Sequence, residues 1–235
     1  MASMCNAYSL THARREIVGF SNDLARQHSF ALAEPELPPD FAPRYRISPR
    51  QRAPILRLEG AGKLGWTMGL WGFLTKGGKP GFAPTNARDD KLATGWPWKM
   101  VSRHQRCLVP ADGFFEPEKP AGDKGTVPWS YYALGNRQVF MMAGLWNEAP
   151  HPKTGEAVET FTVVTTAANG VIRKHDRMPV MLEDDDMMAW LEPGAVPIAI
   201  LKPYPAERMT AWRVMDEARN SRIPDHSGMV EPIAE

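Results

Sequence analysis

The sequence has few cysteines and no long hydrophobic run. Its two cysteines, Cys5 and Cys107, are too few for a disulfide framework or for a zinc site built from cysteines. No apolar stretch is long enough to span a membrane, and the first residues lack the apolar core of a signal peptide. The sequence therefore predicts an intracellular, cytoplasmic protein with no membrane contact, in which any cysteine that matters acts as a thiol.

Neither sign of charge is in excess. The formal net charge is only +1, so any surface that binds nucleic acid must be local. We find no spacing of ligand residues that suits a metal, and no glycine-rich loop that would hold a nucleotide phosphate. The sequence thus predicts no metal and no cofactor.

The chain is long enough for one sizeable core and is divided into many short segments. Its 235 residues include 22 prolines and 19 glycines scattered along the whole length, which is typical of a strand-rich fold with long loops. Apolar and alternating runs predict strands at 129–134, 139–146 and 158–166. Gly135-Asn136 predicts a hairpin between the first two strands. Helices are predicted after Thr11, as N-cap, and from Asp184 to Leu191.

An arginine-rich segment contains no acid between Phe41 and Leu58. Its five arginines are Arg44, Arg46, Arg50, Arg52 and Arg57. Tyr45 and Pro49 lie among them. A basic stretch with an aromatic ring and rigid prolines suits a phosphate backbone and an unstacked base. An edge strand with solvated arginines is an equally good interpretation of the same pattern.

Glu116 follows an apolar strand and two aromatic residues. Residues 107–109 form a short apolar run, and Phe114 and Phe115 then precede the carboxylate. Apolar surroundings disfavour the charged form of a carboxylic acid and raise its pKa toward the neutral range. Glu116 is therefore the first candidate for a general acid or base, with a solvated loop glutamate as the alternative. Cys107, inside the run, is predicted to be an inert core thiol.

Four polar residues stand beside apolar or turn segments in a way that suggests one site. They are Cys5, Asn86, Glu116 and His175. A thiol, an amide, a carboxylate and an imidazole can together make a nucleophile with its base and its orienting groups. Taken singly, each of the four also suits a structural role.

Several sequence blocks, taken together, resemble one known family. They are Asn-Ala-Arg at 86–88, Arg-Cys-Leu-Val-Pro-Ala-Asp-Gly-Phe-Phe-Glu at 106–116, Ala-Gly-Leu-Trp at 143–146, and Thr-Thr-Ala-Ala-Asn and His-Asp-Arg-Met-Pro-Val within 165–180. Their order and spacing resemble the SOS response-associated peptidases, the family of abasic-site processing proteins. The resemblance implies an α+β fold with a single domain over residues 1–235. Mixed, mostly antiparallel strands would surround a barrel-like core with a few peripheral helices and a channel for single-stranded DNA.

The resemblance also implies a chemistry for the four polar residues. The free α-amine of Cys5 would form a Schiff base with the aldehyde of a ring-opened abasic site, and its thiolate would close a thiazolidine. This crosslink would shield the lesion during the DNA damage response. Asn86 would orient the cysteine, Glu116 would move protons, and His175 would assist ring opening or reversal. The residues implied to contact DNA are Arg88, Arg177, Thr165, Pro49, Arg46 and Phe73.

The sequence departs from the family pattern near its beginning and after Glu116. Met1 to Met4 precede Cys5, so the cysteine amine is free only if translation starts at Met4 and that Met is trimmed, or if a leader is cut. Ala7 replaces an arginine and Pro117 replaces a tryptophan, which puts the path of the DNA in question.

Two further functions remain open on the same residues. One is a cysteine peptidase or amidase that removes its own leader, with Cys5 as nucleophile and His175 as base. The other is a non-catalytic module that binds single-stranded DNA through the arginine-rich segment. The expected partner is single-stranded DNA with abasic sites, and the replication machinery is a further candidate. We expect a monomer that is associated with the nucleoid when bound to DNA.

Overall fold

The computed structural model describes residues 7–28, 30–33, 37–60, 62–75, 82–118, 127–172 and 175–233. These ranges contain three α-helices and fourteen strands. The helices are α1 (Arg14–His28), α2 (Trp98–Val101) and α3 (Asp184–Leu191). The strands are β1 (Ala7–Leu10), β2 (Ala31–Leu32), β3 (Arg44–Ile47), β4 (Arg52–Glu59), β5 (Lys63–Trp71), β6 (Asn86–Arg88), β7 (Arg106–Ala111), β8 (Gly113–Pro117), β9 (Trp129–Leu134), β10 (Phe140–Pro150), β11 (Ala157–Ala167), β12 (Arg177–Pro179), β13 (Met181–Leu182) and β14 (Met209–Val214). Within the described part of the chain, no helix has the length and apolar character needed to cross a bilayer.

Five strands close into a barrel. Their order is β11, β10, β7, β4 and β5, and each neighbour in that series is antiparallel to the last. A short parallel pairing of β5 with β11, at Leu70 with Thr160 and at Trp71 with Phe161, joins the two ends of the series. Closure leaves these strands without a free edge over the paired segment. The α+β fold with strands around a barrel-like core is therefore confirmed.

Large aromatic rings and close backbone contacts fill the core. Trp71 and Phe161 are fully buried, and their ring centroids lie 6.4 Å apart in a stacked arrangement. A Cβ atom on Gly144 of β10 would lie 2.8 Å from Cys107 Sγ on β7, so only glycine fits there. Cys107 is fully buried, and this burial raises the pKa of its thiol well above the ordinary value. The expected inert core thiol is thus confirmed.

A second sheet of five strands lies beside the barrel and carries Glu116. Its order is β14, β9, β8, β1 and β3, with antiparallel pairing throughout. The strand predicted at 129–134 is confirmed as β9, but the hairpin predicted at Gly135-Asn136 is wrong. β9 belongs to this second sheet, whereas β10 belongs to the barrel. The turn therefore carries the chain from one sheet to the other, because the two strands bury their side chains against different partners.

The helix predictions have mixed outcomes. α3 has the predicted bounds, and Met187 and Trp190 on its inner side are buried. The N-cap prediction for Thr11 is wrong, since α1 begins at Arg14. The Thr11 hydroxyl instead donates a hydrogen bond of 2.5 Å to Asp112 Oδ2. The partner of the hydroxyl is thus a carboxylate from a distant part of the chain and not the backbone at the start of α1.

Candidate functional site

Glu116 lies inside the second sheet with its carboxylate buried. It is the fourth residue of β8, between β1 on one side and β9 on the other. Only 1% of its surface is exposed, and the preceding Phe114 and Phe115 are fully buried. The predicted apolar surroundings are confirmed, and the alternative of a solvated loop glutamate is wrong. The sheet keeps this carboxylate inside because its neighbours along β8 are aromatic.

His175 reaches Glu116 from a distant part of the chain. It precedes β12, and Asp176 next to it accepts a backbone hydrogen bond of 3.0 Å from Ala168 beyond the end of β11. His175 Nδ1 lies 3.8 Å from Glu116 Oε2, and 6% of the imidazole side chain is exposed. This separation is longer than a hydrogen bond but short enough for a charge on either group to act on the other. Two of the four predicted polar residues therefore meet.

The imidazole of His175 is held in its neutral form. Burial lowers the pKa of His175, and the charge of Asp176 opposes that shift only in part. Nε2 is buried and has no hydrogen-bond partner among the residues that the structure describes. A buried ring nitrogen without a partner is costly to the fold and is found preferentially at sites that bind or transform a ligand.

Tyr132 adds a hydroxyl group close to Glu116. It pairs with Phe114 across β8 and β9, and the two rings stack with centroids 5.3 Å apart. Burial, followed by the nearby charge of Glu116, raises the pKa of Tyr132 to about 12, so the hydroxyl stays protonated at neutral pH. Sequence reasoning missed this residue. The only signal was its place in an alternating strand, which does not reveal what lies opposite.

Asn86 and Arg88 lie on β6, a short strand that adds to the barrel. β6 runs parallel to β11, with Asn86 opposite Val163 and Arg88 opposite Thr165. Asn86 Nδ2 donates a hydrogen bond of 3.1 Å to Thr85 Oγ1. Half of the Arg88 side chain is exposed, and its guanidinium is paired with Asp90 at 2.9 Å. Arg88 therefore keeps an accessible positive group next to the strand that carries Asn86.

Arg177 and Thr165 join three segments below this surface. The Arg177 guanidinium donates hydrogen bonds of 2.5 Å to Asp89 Oδ1 and of 3.2 Å to Thr165 Oγ1, and a further one to the Thr165 carbonyl oxygen. Both Arg177 and Thr165 are buried. In this structure Arg177 ties β12 to β11 and to the turn after β6. Direct contact of either residue with a DNA phosphate stays a prediction.

The remaining predicted DNA contacts are placed differently. Arg46 is buried and donates hydrogen bonds to the carbonyl oxygens of Glu217, Asn220 and Ile223 at 3.1, 2.7 and 2.5 Å. Phe73 is fully buried against Trp98 in an edge-on contact. Pro49 is half-buried in the turn between β3 and β4. Arg46 and Phe73 therefore hold the fold together in this structure, and their predicted contact with DNA is untested.

The arginine-rich segment matches neither of its two interpretations as a whole. Arg57 pairs with Glu159 at 3.1 Å and lies over the ring of Trp146. Arg44 donates a hydrogen bond of 2.7 Å to Gln51. Most of this positive charge is thus used inside the protein, while Arg50 and Arg52 are exposed.

A model of the family described as SOS response associated peptidase (SRAP) matches residues 4–221. The chain belongs to this family. It is 32% identical over 184 residues to the abasic site processing protein YoqW of Bacillus subtilis, covering 74% of this chain and 80% of that protein. It is 28% identical over 243 residues to the abasic site processing protein YedK of Escherichia coli, covering 98% of this chain and 100% of that protein.

A crystal structure of a protein from Bacteroides thetaiotaomicron shares the fold. The TM-score is 0.74 at 21% identity, covering 98% of this chain and 100% of that one. A phage-related protein of Bordetella bronchiseptica gives a TM-score of 0.65 at 24% identity, covering 89% of this chain and 94% of that one. At these identities the likeness concerns the fold alone.

In this SRAP protein, the strand that follows Cys5 is tied down next to Glu116. Cys5 itself lies outside the described residues. β1 begins two residues later at Ala7, which pairs with Phe115, the neighbour of Glu116. Ala7 is buried, and Pro117 ends β8 half-buried. The two departures from the family pattern therefore flank the same strand pair.

A buried carboxylate holds β1 in place. Asp112, in the turn between β7 and β8, accepts hydrogen bonds from the Ser9 hydroxyl, from the Thr11 amide at 2.5 Å and from His12 Nδ1 at 3.1 Å. Burial raises the pKa of Asp112, but these hydrogen bonds together outweigh it and leave the pKa below its ordinary value. Sequence reasoning treated Asp112 only as a turn residue, because its partners come from the far end of the chain.

Proposed function

We propose that this SRAP protein processes abasic sites in single-stranded DNA by forming a covalent thiazolidine through Cys5. The observation that carries the proposal is the buried contact of Glu116 with His175, beside the strand that follows Cys5. Relatives named abasic site processing proteins support this choice of substrate. The family match begins at residue 4, directly before the cysteine.

Chain connectivity limits how far Cys5 can be from the contact. Two residues span at most about 7 Å between Cα atoms, and Ala7 lies opposite Phe115. We therefore propose that the amine and thiol of Cys5 reach Glu116 on the neighbouring strand. Asn86, on β6, is proposed to orient the cysteine.

The proposed reaction acts on the open-chain form of the abasic sugar, which carries an aldehyde at C1′. The Cys5 amine adds to this carbon, and loss of water leaves a Schiff base. The thiol then adds to the same carbon and its proton passes to the nitrogen, which closes the five-membered ring. Amine and thiol belong to one residue, so the second addition is intramolecular and needs no further encounter. No bond of the DNA backbone breaks.

Glu116 and His175 would move the protons in these steps. Glu116 would take a proton from the attacking amine and return it to the hydroxyl that leaves as water. The neutral imidazole of His175 can accept a proton during opening of the sugar ring and donate it back on reversal. Its Nε2, which has no hydrogen-bond partner within the described part of the chain, would offer a site for a polar atom of the sugar.

The test is crosslinking of protein that begins at Cys5 to an oligonucleotide with one abasic site. We expect an adduct that survives heating in denaturant. Cys5→Ala should form no such adduct, and Cys5→Ser should be trapped only after borohydride, because it keeps the amine but lacks the thiol. An equal yield of heat-stable adduct from wild type and Cys5→Ala contradicts the proposal.

Retention of residues 1–4 separates the crosslinking activity from release of the cysteine. With the Cys5 nitrogen inside a peptide bond, neither a Schiff base nor a thiazolidine can form. Mass spectrometry of the purified chain shows whether Cys5 becomes the first residue, and Cys5→Ala tests whether the chain removes the leader itself. A folded sample that keeps Met1 and forms no adduct, while the version starting at Cys5 does, rules out self-cleavage but not crosslinking.

A further inference from the structure

An exposed pair of stacked aromatic rings lies on the chain segment around β6. Phe82 and Trp96 have ring centroids 5.7 Å apart with 28° between the ring planes. Trp96 is 56% exposed and Phe82 is 40% exposed, although large aromatic side chains usually bury most of their area. We define these two side chains as the aromatic platform.

Local contacts hold the backbone on both sides of Trp96. Two residues after Trp96, Trp98 begins α2 and is buried edge-on against Phe73, with ring centroids 5.1 Å apart. Ahead of Trp96, the Gly95 amide donates a hydrogen bond of 2.7 Å to the Lys91 carbonyl oxygen. The backbone on either side of Trp96 is therefore anchored to the protein while its indole remains in solvent.

The charges around the platform favour a polyanion. Lys99 follows in α2, and Arg103 lies just beyond the helix end; both are exposed. Across the ranges that the structure describes, neither is part of an ion pair. Flat exposed rings that are followed closely in the chain by exposed cations suit single-stranded nucleic acid, whose bases stack on aromatic faces while its phosphates attract cations.

The platform is also close to the proposed crosslinking site. Phe82 lies four residues before Asn86, a distance of at most about 14 Å along the chain. Arg88, two residues after Asn86 on the same short strand, presents a half-exposed guanidinium. We propose that Trp96 and Phe82 bind an unpaired base of the DNA strand that flanks the abasic site. This inference rests on the proposed function for its ligand, but it concerns intact bases rather than the lesion.

The experiment measures binding of undamaged single-stranded DNA, so that it does not depend on crosslinking. Two strands of equal length are used: one of thymidines and one of abasic spacer units with the same phosphates. We expect Trp96→Ala to bind the thymidine strand about 5- to 100-fold more weakly, the range of one lost stacking contact. Its affinity for the spacer strand should equal that of wild type.

Three variants test the physical cause. Trp96→Phe should keep most of the affinity, because a phenyl ring still offers a face. Ile198→Ala is the matched control, since Ile198 is 55% exposed and apolar but not aromatic. Lys99→Ala should weaken binding to both DNA strands and reduce the slope of log affinity against log salt concentration by about 0.7. Trp96→Ala should leave that slope unchanged.

The outcomes separate this inference from the proposed function. If Trp96→Ala loses the same affinity for the thymidine and spacer strands, or loses none for either, the platform does not bind a base, even if the Cys5 crosslink forms. Conversely, base-dependent loss in Trp96→Ala supports the platform even if no heat-stable adduct with an abasic site appears. Should Trp96→Ala melt well below wild type, Trp96→Gln and quenching of the indole fluorescence by the thymidine strand answer the same question.

Discussion

Among single residues, Glu116 combines an unusual position with a simple role. A carboxylate is rarely this deeply buried without a partner that can share its charge or proton. His175 is placed to be that partner, and Tyr132 brings a hydroxyl that stays protonated. The site therefore brings together a carboxylate, an imidazole and a hydroxyl group, and the first two are the groups to which the proposed proton transfers are assigned.

Replacement of Glu116 by glutamine should slow crosslinking while the fold survives. Glutamine has the same shape but cannot take up the amine proton, so the rate should fall by about 100- to 10,000-fold. Single-turnover crosslinking of protein starting at Cys5 measures this. Glu118→Gln is the matched control, because Glu118 lies just beyond β8 and accepts a hydrogen bond of 2.6 Å from the Ser130 hydroxyl. Similar rates for Glu116→Gln and Glu118→Gln remove Glu116 from the mechanism.

The buried His175 should make the protein sensitive to acid. Its folded pKa lies below the ordinary value of 6.5, so the unfolded state binds the proton more readily. Stability is therefore lost as pH falls below about 6.5 toward the lower folded pKa. In urea unfolding at pH 7.5 and pH 5, His175→Gln should lose less stability than wild type.

The exposed His104→Gln serves as the control for this pH effect. Between pH 7.5 and pH 5, the His104→Gln variant should lose as much stability as wild type, because His104 is exposed and lies outside the Glu116–His175 contact. If His175→Gln loses as much stability between the two pH values as wild type, the His175 imidazole titrates equally in the folded and unfolded states, and the prediction is wrong.

Among the elements, β1 has a special dependence on one side chain. It is short, and the residues that hold its end in place, Ser9, Thr11 and His12, all bond to Asp112. Gly113 makes this possible, because a Cβ atom there would lie 2.1 Å from Tyr131 Cζ. The turn between β7 and β8 thus fixes the strand that leads back to Cys5.

Asp112→Asn should weaken both the fold and the crosslink. The Asp112 carboxylate accepts five hydrogen bonds, which a single amide oxygen cannot do. Loss of hydrogen bonds to a buried charge costs about 2 to 3 kcal/mol in the free energy of unfolding. Urea unfolding measures this, with the exposed Asp216→Asn as control. If Asp112→Asn unfolds at the same urea concentration as Asp216→Asn, the network does not hold β1.

For the whole molecule, barrel closure determines where the site can form. The pairing of β5 with β11 brings the two ends of the barrel together, and β6 adds beside it on β11. β12 pairs with the same strand, so Asn86 and the segment after His175 are both positioned by β11. Glu116 comes from the second sheet, where it lies on β8.

Gly144→Ala should strain this closure. The added methyl group would approach Cys107 Sγ and Val109 to 2.8 Å and the Thr162 carbonyl oxygen to 3.2 Å, so β7 or β11 must move. We expect a loss of about 1 to 3 kcal/mol in the free energy of unfolding. Gly170→Ala is the matched control, because no atom of the described residues lies within 4 Å of a Cβ atom there. Equal urea midpoints for the two variants would contradict the tight contact.

Local patterns in the sequence determined those features whose physical cause is itself local. Alternation and apolar runs located β9, β11 and α3, because the period of side-chain burial depends only on the strand or helix that carries it. The aromatic neighbours of Glu116 likewise predicted its burial. The barrel-like fold was predicted from the resemblance of several sequence blocks to one family, because those blocks are spread over most of the chain.

Only the tertiary structure decided which side chains share a partner. It placed His175 against Glu116, and it paired the Thr11 hydroxyl with Asp112 rather than with the first turn of α1. It also placed β9 and β10, which follow each other in the chain, in different sheets. It also turned Arg46 and Arg177 inward while leaving Trp96 in solvent. Such choices depend on contacts between residues far apart in sequence, and no local propensity encodes the three-dimensional neighbour against which a polar or aromatic group finally packs.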